Sequence, residues 1–219
     1  MADDIKAYEK RVYDRWGERY DRSIWVRWLR TWVKGYEKDV PEASGILDIG
    51  CGTGNALAIL VEKNPTLLAG LDISEGVLNV ARRKMPGHAA DLRVGDAEDL
   101  PWKNNTFDVV LMTATIHHFP NPDTAVREAW RVLKPGGRLI VAEPHFVFPF
   151  LQVLNLLLKV YPLNGDLGFF SQQGLKQLVE RCGFEQAVQR RPAFMARYTP
   201  CFKPEASERI CVNAEPNVR

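Results

Sequence analysis

The chain has 219 residues, 46% hydrophobic and 26% charged: ample apolar material for one cored domain, too little length for two enzymatic ones. Twenty-nine Lys and Arg stand against 27 Asp and Glu, and a net charge of +2 lacks the basic excess with which nucleic-acid binders neutralise phosphates. Disordered, collagen-like and rod-like classes are excluded by the same figures.

Cys51, Cys182, Cys201 and Cys211 form no CxxC pair, and the start MADDIKAYEK has no apolar run of the kind that directs secretion. These features predict a reduced, cytoplasmic protein. Four of the six tryptophans, Trp16, Trp25, Trp28 and Trp32, crowd into the first 40 residues. From Ser23 to Lys38, Trp25, Leu29, Trp32, Val33 and Tyr36 recur at helical spacing, while Arg27, Arg30, Lys34 and Lys38 form another stripe. The amphipathic helix so predicted suits either packing on a sheet or a membrane surface.

From Gly45 to Pro144 apolar runs alternate with helical patterns, the order of βαβ units and a parallel sheet. GILDIG is the first strand. A helix follows from Asn55 to Lys63 and stops at Asn64-Pro65. TLLAGLDIS is the second strand, and Ser74 caps a helix carrying Val77, Leu78 and Val80 with Arg82, Arg83 and Lys84 at its end. Ala90 to Gly95 gives a short third strand and TFDVVLMTAT a fourth, apolar throughout and so buried on both faces. Asp123 to Leu133 reads as a helix ended by Lys134-Pro135-Gly136-Gly137, and RLIVAEP is the fifth strand. A helix from Ser171 ends at Gly183, after which 184–189 and 194–202 read as an antiparallel pair. The polar tail from Lys203 adds at most a short strand at Ile210 to Val212.

Three glycines, Gly50, Gly52 and Gly54, stand between the first strand and its helix, where a tight turn lets backbone approach a ligand. The spacing is GxGxG, and Asn55 occupies the position where a dinucleotide fingerprint has its third glycine. Asp72, at the end of the second strand, is placed to accept ribose hydroxyls, which predicts a nucleoside ligand. NAD and S-adenosylmethionine both satisfy that requirement.

The ordered blocks LDIGCGTG, LDIS, GDAEDLPW with FDVV, ATIHHFPNP and RVLKPGGRLIVAEP resemble the class I S-adenosylmethionine-dependent methyltransferases. Within them the likeness is to the small-molecule group with quinone-biosynthesis C-methyltransferases and bacterial phospholipid N-methyltransferases. It runs strongly over Gly45 to Pro144 and weakly over Ser171 to Phe184. The resemblance implies a Rossmann-like, doubly wound α/β fold: a mainly parallel seven-stranded sheet, an antiparallel C-terminal pair and an N-terminal helical cap. The expected divisions are a cap at 1–43, a cofactor-binding core at 44–144, an insert at 145–170 and a final helix and strands at 171–202, with a tail at 203–219.

By that resemblance Gly50, Gly52 and Gly54 form the cofactor loop and Asp48 sits near the methionine amino group. Asp72 holds the ribose, Ile73 packs on adenine, Asp96 and the backbone of Ala97 read the adenine edge, and Thr113 lies beside the methionine part. YDRWGERYDR resembles the family's closing cap, which makes Tyr13 a substrate contact and Tyr20 a cofactor contact.

Methyl transfer needs alignment and exclusion of water, and an acidic acceptor also needs a base near neutral pKa. His117 and His118 follow the fourth strand and are the candidates for that base, with packing and cofactor contact as the other readings. Glu143 and His145, at the end of the fifth strand, are candidate substrate contacts or members of a solvated loop. Cys51 reads as a small packing residue, and no set of residues has metal-ligand spacing.

The 18-residue run from Phe146 to Leu163 is apolar except for Gln152, Asn155 and Lys159. Pro149 and Pro162 leave at most about 12 helical residues, roughly 18 Å, too short for a bilayer. A lid over a lipophilic substrate is the favoured reading, with core packing, an interfacial helix and a dimer contact as alternatives. The expected partner is a small-molecule acceptor and not nucleic acid; peripheral membrane contact through 23–38 or 146–163 is a further expectation. A nicotinamide oxidoreductase would require GxGxxG and a catalytic Tyr-Lys pair, neither of which is found; a non-catalytic cofactor-binding subunit is the other alternative.

Overall fold

The computed structural model describes residues 2–85, 90–144, 170–191 and 196–205. The expected insert at 146–163, His145 and the strand at 210–212 lie outside these residues, as does most of the tail.

Five parallel strands and one antiparallel strand form a single sheet in the order β3-β2-β1-β4-β5-β6. They are β1 (Gly45–Ile49), β2 (Leu67–Asp72), β3 (Ala90–Val94), β4 (Phe107–Thr113), β5 (Leu133–Pro144) and β6 (Ala196–Phe202). The chain runs outward from β1 through β2 to β3, then returns to place β4 on the other side of β1. That reversal opens a crevice at the carboxyl ends of β1 and β4, the place where open α/β sheets hold ligands.

Six strands occur among the described residues, against the seven expected. The segment 184–190 does not form a continuous strand: it meets β6 through isolated bridges, Glu185 to Phe202 and Arg190 to Tyr198, with Val188 N donating to Pro200 O between them. Gly183, at φ +95°, closes the preceding helix, and Gln186 also takes a positive φ, so the backbone cannot hold the extended geometry of a continuous ladder.

Alternate residues of β1 and β4 feed opposite cores. Leu47, Ile49, Phe107, Val110 and Met112 meet α5 (Pro122–Val132) and α6 (Gln172–Arg181). Ile46, Val109 and Leu111 meet α2 (Ile24–Tyr36) and α3 (Asn55–Leu60), with α4 (Glu75–Lys84) beside them. A strand covered on both faces has no use for polar alternation, which is why these runs are predominantly apolar. Ser74 and Ser171 accept from Val77 N and Gly174 N and start α4 and α6.

The N-terminal segment forms two helices with different attachments. In α2, Trp32, Val33 and Tyr36 are buried against β1, β4 and β6, while Arg27, Arg30 and Lys34, with Lys38 on the turn that follows, face solvent. Packing is therefore the outcome for the buried face of α2. Asp39, just beyond it, accepts from Tyr198 Oη at 2.7 Å and pairs with Arg190 at 2.8 Å. The longer α1 (Ala2–Tyr20) lies over the carboxyl ends of the strands and crosses α4.

Candidate functional site

A cleft with about 1030 Å³ of empty space, open to solvent, lies between α1 and the carboxyl ends of β1, β2 and β4. Gly50, Gly52, Asp48, Asp72, Ile73, Asp96, Ala97 and Thr113 line it, together with Tyr13, Tyr20 and His118.

The glycine loop divides its tasks. Gly50, at φ +68°, sits where a Cβ would stand 2.0 Å from Thr115 Oγ1, so it lets β1's loop touch the loop after β4. Gly52, at φ +52°, has nothing within 4 Å of a Cβ; its missing side chain leaves open a part of the cleft. Gly54 is set back from the cleft lining: a Cβ there would meet Ala81 Cβ at 3.0 Å, so this glycine brings α3 against α4. Cys51 is buried, and burial holds its thiol well above the ordinary range, consistent with a packing residue.

Two carboxyls dominate the floor. Asp48 is 2% exposed and its Oδ1, in a residue that lines the cleft, has no hydrogen-bond partner among the described residues. Burial, and then the charge of Asp72, pushes its pKa up to about 8. Asp72 accepts from Gly52 N and Ser74 N, both at 2.9 Å. It keeps some exposure to the cleft, and those two donors oppose burial, so its pKa is raised only to about 6.

An orphaned buried acceptor, a second carboxylate with lone pairs to spare and a backbone cradle without a Cβ fit a ligand that carries an ammonium and a ribose. Asp48 would hold the ammonium and Asp72 the hydroxyls. Asp96 is engaged by Glu98 N at 2.9 Å and Lys6 Nζ at 2.7 Å, and Thr113 Oγ1 meets Tyr36 Oη at 2.7 Å.

The roof is α1, which three polar clamps hold down. Lys6 reaches Asp96 and Glu98; Asp14 accepts from Ser74 Oγ at 2.6 Å and Gly76 N at 3.0 Å; Asp21 accepts from Thr53 Oγ1 at 2.6 Å and pairs with Lys84 at 2.6 Å. Each clamp lands on a different loop of the cleft. Sequence reasoning missed Lys6, Glu9, Asp14 and Asp21. The signal was there: Lys6, Glu9, Tyr13, Gly17 and Tyr20 recur at helical spacing, but on a polar and aromatic face that an apolar search passes over.

The two histidines diverge. His117 is buried and does not line the cleft; its Nδ1 lies 2.6 Å from Glu143 Oε2, and Glu143 Oε1 accepts from Thr115 N at 3.0 Å. Glu143, 3% exposed, is thus an internal brace for the loop after β4, which corrects its expected place as a substrate contact. His118 faces the cleft with Tyr13 Oη 3.2 Å from its Nε2 and Glu9 Oε1 2.9 Å from its Nδ1.

Comparison with known proteins gives the family of the chain. A methyltransferase domain family matches residues 47–141. The demethylmenaquinone methyltransferase of Staphylococcus aureus is 30% identical over 215 residues, covering 84% of this chain and 88% of the relative. That of Symbiobacterium thermophilum is 34% identical over 149 residues, 63% of this chain, and the match spans 59% of the relative's length. Among solved structures, a SAM-dependent methyltransferase from Thermotoga maritima superposes with a TM-score of 0.70 at 24% identity over 88% of this chain and 99% of its own. The Haloferax volcanii methyltransferase complexed with the Trm112 activator gives 0.75 at 20%, covering 88% of this chain and 97% of that one.

The fold and the family match define a methyltransferase domain of the Rossmann-like type. The chain belongs to the S-adenosylmethionine-dependent methyltransferase family, and S-adenosylmethionine is its cofactor.

Proposed function

We propose that this protein transfers the methyl group of S-adenosylmethionine to a small lipophilic aromatic acceptor bearing an ionisable hydroxyl, a ring of the quinol type. The observation that carries the reading is the composition of the cleft. Its floor holds Asp48, Gly52 and Asp72, while Tyr13, Tyr20, Leu29, Val33 and Phe119 supply an aromatic and apolar wall with His118 beside them. The cofactor supplies an electrophilic methyl when bound; the chain contributes alignment, exclusion of water and, at His118, a proton acceptor. The names of the demethylmenaquinone methyltransferases support a ring of this class.

A second reading is phospholipid N-methylation at a membrane surface. It is favoured by the exposed row of Arg27, Arg30, Lys34 and Lys38 and by Trp16 of α1, which is 49% exposed. Among the described residues no helix is long and apolar enough to cross a membrane.

Calorimetry and a labelled methyl donor test both. S-adenosylhomocysteine is expected to bind and NAD not to bind. Label is expected to enter a reduced naphthoquinone and not phosphatidylethanolamine in vesicles. Transfer to the lipid alone would replace the first reading by the second, and no binding of S-adenosylhomocysteine would remove both.

A further inference from the structure

Glu9 and Tyr13 are one helical turn apart on α1, and both side chains reach the same imidazole. His118 stands on the short 3-10 turn Ile116–His118 after β4. Its Nδ1 lies 2.9 Å from Glu9 Oε1, close in distance but out of hydrogen-bond alignment, and its Nε2 lies 3.2 Å from Tyr13 Oη. The Glu9 and His118 side chains are 8% and 12% exposed, so this contact is made away from bulk water. The His117 ring lies 4.2 Å away, and Glu143 fixes it in turn, which limits rotation of His118. All three members of the set line the cleft.

We infer that Glu9, His118 and Tyr13 form a proton relay, with Glu9 as the positioning residue, assembled from two separate elements by the seating of α1. The inference rests on the methyl-transfer reading and names the acceptor's chemistry: it must lose a proton from oxygen. The charge of a carboxylate 2.9 Å from Nδ1 favours the ring proton on that nitrogen and leaves the Nε2 lone pair toward Tyr13. The acceptor hydroxyl proton passes to Tyr13 Oη as the Tyr13 proton passes to His118 Nε2. The acceptor's electron pair forms the bond to the methyl carbon, the C–S pair stays on sulfur, and the imidazolium is left beside Glu9. Because Lys6, Asp14 and Asp21 clamp the same helix to three loops of the cleft, water exclusion and base assembly are one event.

The charged and titratable groups facing His118 are Glu9 and Tyr13 from α1, His117 from its own turn and Asp72 from β2. The test is an NMR titration of the His118 ring nitrogens in the full chain saturated with S-adenosylhomocysteine, comparing wild type, Glu9→Gln and Tyr13→Phe. Loss of the carboxylate is expected to lower the His118 pKa by about one unit, and loss of the phenol donor to raise it, since that donor favours the neutral ring. Opposite shifts establish that both groups act on the ring; the displaced acid limb of the rate profile is the signature that a purely structural role would not give. With a reduced naphthoquinone, Glu9→Gln is expected to lower kcat about tenfold with little change in cofactor KM, and to move the acid limb of the rate profile to lower pH. Should Glu9→Gln fail to fold, Tyr13→Phe and Glu9→Asp carry the same titration. Unchanged His118 titration in the folded variants would overturn the relay. Failure of wild type to bind S-adenosylhomocysteine would instead remove the methyl-transfer reading.

Discussion

Gly17 of α1 and Gly76 of α4 meet backbone to backbone: a Cβ on Gly17 would stand 3.0 Å from Gly76 O, and one on Gly76 would stand 2.7 Å from Asp14 Cα. Neither position has a positive φ, so these glycines are there for closeness, and the closeness lets Asp14 reach Ser74 and Gly76 N. Gly76→Ala should therefore lift the roof without unfolding the core. The expected result is about tenfold weaker S-adenosylhomocysteine binding with a melting temperature within a few degrees of wild type, roughly 1 kcal/mol. Calorimetry and thermal melts check this, and full affinity would show that α1 seats without the crossing.

Asp72→Ala removes the acceptor proposed for the ribose and also frees Gly52 N and Ser74 N. A loss of about 100-fold in affinity for S-adenosylhomocysteine is expected, in line with roughly 1.5 to 3 kcal/mol for each hydrogen bond to a charged group. Unchanged affinity would place the ribose elsewhere.

The pH dependence follows from two raised carboxyls. In the ligand-free protein Asp48 titrates at about 8 and Asp72 at about 6, both above the ordinary Asp value. The folded state thus binds these protons more tightly than the unfolded chain does. Their contribution to stability is full below pH ~4 and is lost as pH rises through about 6 and then about 8. Asp48→Asn should flatten the fall in melting temperature between roughly pH 4 and 8. A ligand ammonium favours the ionised forms, so affinity for S-adenosylhomocysteine should rise over the same range with proton release. Calorimetry in phosphate and Tris measures that release, and a pH-independent affinity would contradict it.

Glu143→Gln keeps shape but lets an amide nitrogen face either the Thr115 N–H or His117. The brace is buried, so a cost of roughly 2 kcal/mol is expected, seen as a melting temperature lower by about 4 to 8 °C. Urea denaturation with an unchanged slope would tie the loss to the native state. A variant as stable as wild type would mean that the loop after β4 holds itself.

Much of the fold was legible because the sheet is covered on both faces. Strands such as GILDIG and TFDVVLMTAT read as apolar runs, and Ser74 and Ser171 marked helix starts that the structure keeps. Gly52 and Asp72 stood out as candidates because the glycine spacing and the end of the second strand mark them, and Asp48 through the family resemblance of LDIGCGTG. Glu143 was misread for the converse reason: position at a strand end does not say whether a side chain turns toward the cleft or toward its neighbours, and here His117 and Thr115 N claim both oxygens. Glu9 was invisible because a lone acid on a charged helix gains meaning only when the fold brings a histidine 109 positions away to within 2.9 Å.

The N-terminal segment is a wall joined to a removable roof. Buried aromatics and Asp39 fix α2, whereas Lys6, Asp14 and Asp21 are central to holding α1, and for these contacts water and dissolved ions compete. If departure of the spent cofactor passes through opening of those contacts, its rate is expected to increase with ionic strength while the stability of the core hardly changes; a release rate independent of salt would show that the cleft empties with α1 in place. Where release limits turnover, salt becomes an accelerator of an enzyme whose chemistry involves no salt.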